Sequence, residues 1–484
     1  MSQNFSAYKI CQQALREKWY IQGFNGLPIF LNSAAYSGLV MGKDLGYQYN
    51  KYFLDYHQGY CEVGYLEKDL ECIWQIVKRK LVDDPNYLNQ VKKQYSHKFA
   101  NYNQLFQQIK SNQLKELTDD ELVKIFKECA EITIKSAGSA HVIESVGMGL
   151  EKDFKKQLQS AADSPKDFNE YFTVLTAPSE PSFLAREEAE LIKIAKRSSS
   201  EQAKKLAEHA AKYFWLSNSY AKVRELSAKY FTRRLRSITN KKQISEVATK
   251  KKKAVLIDQL QLDSAAVANI ELIDFTTSWQ DERKANILQA IGYLKRIVDE
   301  ISRRTKIAKK YLYYLGVRDI INLNSFSDLK AWQTELRKRS PGVFFLMQTE
   351  KEHVLTGQEY LKISKYRTEL EKEMSVIERE LHGSVAMTGT AIGRAVICRG
   401  LSSLAKVRPG DIIVASMTRP EFMPALRKAA GIVTDEGGIT CHAAIVAREL
   451  NIPTVIGTKK ATKIFRDGMK IEVRANHGIV RELK

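Results

Sequence analysis

Cysteine is scarce in this chain of 484 residues, which contains six. The six are scattered, with no Cys-x-x-Cys pair and no cluster of Cys and His at the spacing of a zinc site. A disulfide framework is therefore not expected, and we expect most of these thiols to be buried in the core. They are Cys11, Cys61, Cys72, Cys129, Cys398 and Cys441.

Long apolar runs are also missing. No run reaches the roughly 18 consecutive apolar residues that would cross a bilayer. Residues 1–22 lack the apolar centre of a secretory signal. The sequence therefore predicts a cytoplasmic protein without a membrane partner.

Acidic residues are in deficit: 56 Asp and Glu stand against 76 Lys and Arg, which gives a formal charge of +20. The excess is diffuse, and its densest run, Lys250–Lys253, is interpreted as a solvated turn between helices. No basic stripe alternates with aromatic residues, and no nucleic-acid-binding module is recognisable. These features disfavour nucleic acid as the main partner, whereas a phosphorylated ligand or an acidic protein would fit the same field.

The sequence predicts a multidomain protein in which largely α-helical N-terminal and middle regions precede a compact α/β domain. Residues 1–100 are rich in aromatic residues and read as mostly helical, either with an aromatic core or with a few rings lining a ligand pocket. Residues 101–340 have the periodicity of a helical bundle. Residues 341–380 read as a short β insertion followed by a charged connector helix. Residues 381–484 alternate short strands and helices with glycines at the joints.

One histidine in the last region stands at a position suited to chemistry. In the segment "GIVTDEGGITCHAAIVAREL", a short strand is followed by a loop containing Gly437 and Gly438. A helix then begins, for which Thr440 is a good N-cap. His442 therefore falls in the first helical turn, beside backbone N–H groups that lack intrahelical partners.

This environment suits a phosphoryl group, because helix N-termini and glycine-rich backbone attract anions. The same positive end disfavours the imidazolium form, so we expect His442 to be neutral and nucleophilic near pH 7. From spacing alone, a surface histidine that only forms hydrogen bonds is the favoured interpretation. A metal site is not expected, because no carboxylate or second histidine stands at ligand spacing on this helix.

Residues 417–458 closely resemble the phosphohistidine swivelling domain of the phosphoenolpyruvate-utilising enzymes. This family includes phosphoenolpyruvate synthase, pyruvate phosphate dikinase and rifampicin phosphotransferase. Its signature is a Gly-Gly pair, a Thr or Ser, a histidine two residues later, and an Ala-rich helix containing an Arg. The matching residues here are Gly437, Gly438, Thr440, His442, Ala443, Ala444 and Arg448. The resemblance implies a swivelling β/β/α phosphohistidine domain over about residues 381–484.

The resemblance also implies roles for the residues of the signature. His442 would carry the phosphoryl group. Gly437, Gly438 and the N–H groups of the helix start would hold its phosphate. Thr440 would cap the helix, and its hydroxyl stands within reach of the phosphate. Arg448 would contact the anion or a partner carboxylate, with a structural salt bridge as the alternative.

Two further features follow from the same comparison. Thr418 and Arg419 match the family's loop near the histidine and are candidates for phosphate contact. A swivelling domain needs a compliant tether, which residues 372–392 could supply. Gly383 and Gly389 are the candidate hinge residues in that segment.

Relatives of this kind usually carry an ATP-grasp domain that phosphorylates the histidine from ATP. Here residues 1–100 are too short for one, and residues 101–340 have no glycine-rich phosphate loop. The sequence also ends at Lys484 without the barrel that binds pyruvate in some relatives. We therefore expect ATP and Mg²⁺ to bind to a separate ATP-grasp protein, and no cofactor to bind to this chain.

The sequence favours a phosphotransferase component that passes a phosphoryl group from a nucleotide site to a hydroxyl or enol of a small molecule. The main alternative is a phosphohistidine carrier or regulatory protein whose recipient is another protein. A degenerate interaction module, in which the histidine is unused, is disfavoured by the intact signature.

Overall fold

In the computed structural model, the chain is divided into two compact units. The structure describes residues 6–109, 113–237, 246–348, 351–373, 380–438 and 441–483. The first unit comprises residues 1–146, 220–222 and 290–377, and the second comprises residues 147–219, 223–289 and 378–484. Each unit therefore draws on segments far apart in sequence, and the predicted boundaries near residues 100 and 340 do not separate them.

The helices and strands are numbered in chain order. The helices are α1 (Ala7–Ala14), α2 (Pro28–Val40), α3 (Gly42–Leu45), α4 (Glu67–Asp83), α5 (Tyr87–Gln108), α6 (Asp119–Gln159), α7 (Pro165–Leu175), α8 (Phe183–Ala195), α9 (Ser199–Tyr213), α10 (Ala228–Ser237), α11 (Glu246–Gln259), α12 (Ser264–Thr305), α13 (Lys309–Leu312), α14 (Val317–Ile321), α15 (Phe326–Arg339), α16 (Gly357–Glu373), α17 (Leu401–Leu404), α18 (Met423–Leu426), α19 (His442–Leu450) and α20 (Ala461–Ile464). The strands are β1 (Trp19–Asn25), β2 (Lys51–His57), β3 (Tyr60–Leu66), β4 (Gly342–Gln348), β5 (Glu352–Thr356), β6 (Glu380–His382), β7 (Ser384–Met387), β8 (Thr390–Ile397), β9 (Ile412–Ala415), β10 (Gly431–Thr434), β11 (Thr454–Ile456), β12 (Lys470–Arg474) and β13 (Ile479–Glu482).

The first unit is built on a five-stranded antiparallel sheet with the order β1-β3-β2-β4-β5. The hairpin β4–β5 had been expected as a separate insertion, but it completes a sheet begun by three strands within residues 1–100. Those three strands were not predicted. Strand β2 is buried on both faces, so the polar–apolar alternation that reveals a half-exposed strand is missing from its sequence. One face of this sheet packs Phe53 and Phe344 against residues of α1 and α16.

The second unit contains an eight-stranded sheet with the order β6-β13-β12-β8-β9-β10-β11-β7. Strands β8, β9, β10 and β11 are parallel, and the remaining pairings are antiparallel. The short central strands β9, β10 and β11 are fully buried, as expected for parallel strands covered on both faces. The sheets and helices of the C-terminal region agree with the predicted α/β domain.

Residues with left-handed backbone end two elements of this region. Helix α19 ends at Leu450, and Asn451 adopts the left-handed conformation with φ 55°. Residues 475–478 turn the chain between β12 and β13, with Gly478 at φ 67°. The N-cap of α19 is Cys441, one residue beyond the predicted Thr440, and Thr440 itself lies outside the described residues.

The run Lys250–Lys253 is not a turn. It lies within α11, and Lys253 is buried with its Nζ 2.7 Å from Asp274. Successive side chains of a helix point in different directions, so Lys253 can be buried although its neighbours in the run face solvent. In the part of the chain that the structure describes, no helix is both long and apolar enough to cross a membrane.

Replacing Gly383 by alanine should destabilise the second unit. A Cβ at this position would collide with the backbone oxygen of Ile456, which belongs to the neighbouring strand β11 and cannot easily move. We expect a loss of about 1–3 kcal/mol, measured by chemical denaturation. The control is Gly468→Ala, where the added Cβ meets open space and only the positive φ opposes it. An unchanged midpoint for Gly383→Ala would show that this segment moves aside, as a hinge would.

Candidate functional site

His442 is the first residue of α19, directly after the loop that follows strand β10. Cys441 caps the helix, since its Sγ accepts a hydrogen bond from the backbone N–H of Ala444 at 3.4 Å. The small residues Ala443 and Ala444 are buried and let the helix start pack closely on the sheet. Burial raises the pKa of the Cys441 thiol to about 11, so this cysteine is a cap and packing residue, not a thiolate nucleophile.

The two ring nitrogens of His442 have different surroundings. Nδ1 lies 2.9 Å from the hydroxyl oxygen of Thr418. Nε2 is enclosed and has no hydrogen-bond partner among the described residues, although part of the side chain is exposed. If Nδ1–H donates to the hydroxyl of Thr418, the lone pair stands on Nε2. Nε2 is thus the ring atom left for chemistry.

The environment keeps this imidazole neutral. Burial lowers the pKa of His442 to about 3, with further lowering from the positive charges of Lys284 and Arg419. The neutral form agrees with the expectation from the sequence. However, its main cause is desolvation of the ring, which outweighs the nearby cations.

Two cations act on the histidine, and a carboxyl group lies near both cations. Arg419 is buried in the loop before a short 3-10 helix (Pro420–Phe422), and Lys284 comes from α12. Burial raises the pKa of the Glu421 carboxyl, and Arg419 and Lys284 partly oppose this. Glu421 Oε2 is enclosed without a hydrogen-bond partner in the described structure. The site therefore combines two cations with a carboxyl group whose charged form is disfavoured.

Gly437 has the backbone conformation expected of a glycine loop, whereas Gly438 has an unexpected carboxylate beside it. Gly437 has φ +113°, and a Cβ there would lie 2.8 Å from Cys441 Sγ, so the loop needs glycine at this position. A Cβ on Gly438 would lie 2.5 Å from a carboxylate oxygen of Glu151, from α6. Glu151 in turn pairs with Lys155 at 2.7 Å. A carboxylate beside Gly438 does not favour a phosphate there, so the role of the glycines in phosphate binding stays a prediction.

Arg448 has a different environment from the histidine. It is buried, and its Nε donates to the carbonyl oxygen of Ala386 at 2.9 Å. One NH2 group donates to the hydroxyl of Thr176 at 2.7 Å. Burial lowers the pKa of Arg448 to about 10. These contacts favour the structural alternative for Arg448.

Both candidate hinge glycines lie between strands of the eight-stranded sheet. Gly383 stands between β6 and β7, and its N–H donates to the carbonyl of Gly478 at 2.9 Å. The N–H of Gly389 donates to the side chain of Asn476 at 2.7 Å. Both are thus held inside the C-terminal domain. Residues 374–379, within the predicted tether, lie outside the described residues.

The C-terminal domain is held against helices of its own unit by polar contacts. Arg427 pairs with Glu188 of α8 at 2.9 Å. Lys155 of α6 donates to the hydroxyl of Ser384 at 2.6 Å, and the Asn169 side chain of α7 donates to the carbonyl of Asn476 at 2.9 Å. With Arg448 and Thr176, these contacts define a docking seam. The structure therefore describes a docked domain in which the charge of Lys284, on α12, acts on His442.

Comparison with known proteins identifies the domain. Residues 407–478 match the family model described as "PEP-utilising enzyme, mobile domain". This part of the chain is a mobile domain of the phosphoenolpyruvate-utilising family. The resemblance seen in the sequence is thereby confirmed.

The curated relatives with similar segments are phosphoenolpyruvate synthases. A probable phosphoenolpyruvate synthase of Archaeoglobus fulgidus is 45% identical over 134 residues, covering 27% of this chain and 18% of the relative. The phosphoenolpyruvate synthase of Pyrococcus furiosus is 45% identical over 132 residues, covering 26% and 16%. That of Aeropyrum pernix is 38% identical over 152 residues, covering 31% and 18%. The chain thus spans less than a fifth of the length of these relatives.

Among solved structures, the aconitase X of Thermococcus kodakaraensis in its holo form is similar at 24% identity. The similarity covers 22% of this chain and 100% of that protein, with a TM-score of 0.18. A score this low carries no argument about the mobile domain.

Two residues of this site were not predicted. Glu421 is part of the loop "MTRPEFMP" that carries Thr418 and Arg419, so its position was visible in the sequence although its burial was not. Lys284 belongs to a helix remote in sequence, and its neighbours "DERKAN" give no sign of a contact with α19. Long-range packing alone brings it to the site.

Acid should destabilise the second unit through His442. Because the pKa of about 3 in the folded state is below the ordinary 6.5, the unfolded chain takes up a proton that the folded chain excludes. This contribution is fully present above pH 6.5 and is lost as the pH falls towards 3. At pH 5 the loss is about 2 kcal/mol relative to pH 7. Urea unfolding at both pH values, with His442→Gln as the control, measures it. Equal pH dependence in the two proteins would contradict the assignment.

Proposed function

We propose that this chain is a phosphotransferase component in which His442 carries a phosphoryl group from a nucleotide site to a hydroxyl or enol of a small molecule. The observation that carries the proposal is the enclosed, unpartnered Nε2, with Nδ1 held by Thr418. The family of the mobile domain and the phosphoenolpyruvate synthases among its relatives support the same chemistry.

The loading step is a displacement at phosphorus. The Nε2 lone pair forms the N–P bond, the bond between phosphorus and the leaving phosphate oxygen breaks, and that oxygen keeps the electron pair. The proton on Nδ1 stays donated to Thr418. In the transfer step, the acceptor oxygen attacks phosphorus, the N–P bond breaks and its electrons return to Nε2. The proton of the acceptor hydroxyl leaves to a base, which we do not assign.

The positive charges near His442 suggest that the docked domain can accommodate a phosphorylated histidine. A phosphoryl group brings negative charge into an enclosed site, and such charge needs positive partners or donors. Arg419 and Lys284 are the cations whose field reaches His442. We propose that they stabilise the phosphoryl group in the docked domain.

We further propose that the phosphoryl donor is ATP, bound with Mg²⁺ to a separate ATP-grasp protein. The absence of a glycine-rich phosphate loop from the sequence of residues 101–340 supports this. Loading would require the domain to leave the docking seam, because Nε2 is enclosed in the docked state. The contact of Arg448 with Thr176 and that of Arg427 with Glu188 would then break and re-form in each cycle.

Incubation with labelled ATP and an extract of the source cells should give an acid-labile, base-stable phosphoprotein, as expected for phosphohistidine. The label should be lost in His442→Ala, which removes the nucleophile. It should persist in His477→Ala, which removes an exposed histidine of the turn between β12 and β13. Label that remains in His442→Ala would place the phosphate elsewhere and refute the proposal.

Replacing Thr418 by valine should slow phosphoryl transfer without unfolding the domain. The change keeps the shape of the side chain but removes the hydroxyl that fixes Nδ1, at a cost of about 1–3 kcal/mol in the transition state. This corresponds to a rate about 10- to 100-fold lower, measured by quenched-flow labelling of His442. Thr418→Ser keeps the hydroxyl and should remain close to the unmodified protein. Equal rates for the valine and serine variants would exclude the positioning role.

A further inference from the structure

The first unit contains a second group of enclosed polar atoms, far in sequence from His442. Two members of this group, Tyr52 and Glu352, belong to one row of side chains across the five-stranded sheet. Strand pairing aligns neighbours along this row, so their side chains share one face. The row consists of Tyr20, Tyr65, Tyr52, Met347 and Glu352.

Two polar side chains near this row are almost completely buried and only partly satisfied. Tyr52 is 0% exposed, and its hydroxyl has no hydrogen-bond partner among the described residues. Asn32, on α2, is 2% exposed. Its side-chain oxygen accepts a hydrogen bond from Tyr56 at 2.7 Å, but its Nδ2 has no partner in the described structure. Buried polar groups of this kind normally have a partner, so the two atoms require an explanation.

Two opposite charges face the same place. Arg318 lies on α14 and Glu352 on β5, and Nε of the first and Oε1 of the second are both enclosed without partners among the described residues. The fields of both charges reach the hydroxyl of Tyr52. They also reach each other, yet no ion pair joins them. The two charged groups are therefore not in ion-pair contact.

The neighbouring charges are already paired. Asp319 binds Arg339 and also accepts the backbone N–H of Gly316 at 2.7 Å. Asp319 is therefore bound to Arg339 and Gly316, and Arg339 acts on Glu352 only through its field. Burial raises the pKa of Glu352 to about 7, with Asp319 adding to the rise and the charges of Arg339 and Arg318 partly opposing it.

We propose that the enclosed atoms of Asn32, Tyr52, Arg318 and Glu352 form a binding site for a small zwitterion that carries an ammonium and a carboxylate, as a free amino acid does. The ammonium would donate to Glu352 and the carboxylate would accept from Arg318. Asn32 Nδ2 and the Tyr52 hydroxyl supply uncharged hydrogen bonds between them. One positive and one negative group on the ligand match the half-buried Glu352 carboxyl and Arg318 guanidinium, which do not pair with each other. This site is independent of the chemistry proposed for His442.

A polyol would satisfy the uncharged atoms but would leave both charges without a counter-charge. Ordered water would do the same. The pair of opposite, separated charges is therefore the feature that selects a zwitterion.

The test is a thermal-shift screen of the full chain with each common free amino acid at about 10 mM, and with glucose as the polyol arm. We expect at least one amino acid to raise the melting temperature by several degrees, and glucose to have no site-dependent effect. The shift should be lost in Glu352→Gln and in Arg318→Met. No shift with any amino acid, or a shift that survives both substitutions, would overturn the proposal. A glucose shift lost in the same variants would also overturn it.

A matched pair of tyrosine variants keeps the test decisive if the charge variants do not fold. Tyr102 is also buried in this unit, but its hydroxyl lies 2.7 Å from that of Thr133 and 3.2 Å from the carbonyl of Cys129. Tyr102→Phe should lower the melting temperature and keep the amino-acid shift. Tyr52→Phe should leave the melting temperature of the free protein unchanged or higher, because it removes an unpaired buried hydroxyl, and should weaken the shift. Equal destabilisation by both variants without ligand would contradict the proposal.

Discussion

The burial of one neutral imidazole between cations is the constraint on which the rest of the second unit depends. Nδ1 of His442 is held by Thr418, while Nε2 is enclosed beside the charges of Arg419 and Lys284. The positive charges of Arg419 and Lys284 lie near the uncharged ring, and burial disfavours the charged form of Glu421 beside them. A phosphoryl group on Nε2, as proposed above, would bring negative charge close to these two cations.

Because Nε2 of His442 is enclosed, the mobile domain must leave its docked position before Nε2 can react with a separate phosphoryl donor. The docking seam includes a buried arginine, Arg448, whose guanidinium has been taken out of water and is satisfied by Ala386 and Thr176. Desolvation offsets much of the gain from such contacts, so specific polar bonds need not imply tight docking. A seam of polar contacts of this type can define the docked position and still open, whereas a large apolar seam would resist opening. This balance fits a domain that the family description names as mobile.

Sequence reasoning succeeded where the signals are local. The strand, glycine loop and helix around His442 were predicted from adjacent residues, and only the N-cap differed, because the thiol of Cys441 accepts the N–H of Ala444. Sequence reasoning failed where the contacts join residues that are far apart in the sequence. Glu151 and Lys284 reach this region from long helices. Strand β2 was missed because burial on both faces removes its alternation.

Two buried groups of polar atoms, one in each unit, can be understood by the same rule. A core selected only for stability would satisfy or remove such atoms, as it does at Tyr102, whose hydroxyl has two partners. Tyr52 is equally hidden, yet its hydroxyl has none in the described structure. Unsatisfied atoms lower stability, and they persist most readily where a bound group completes them. Around His442 the missing group is an anion, whereas around Tyr52 the separated charges of Arg318 and Glu352 require a ligand with both signs.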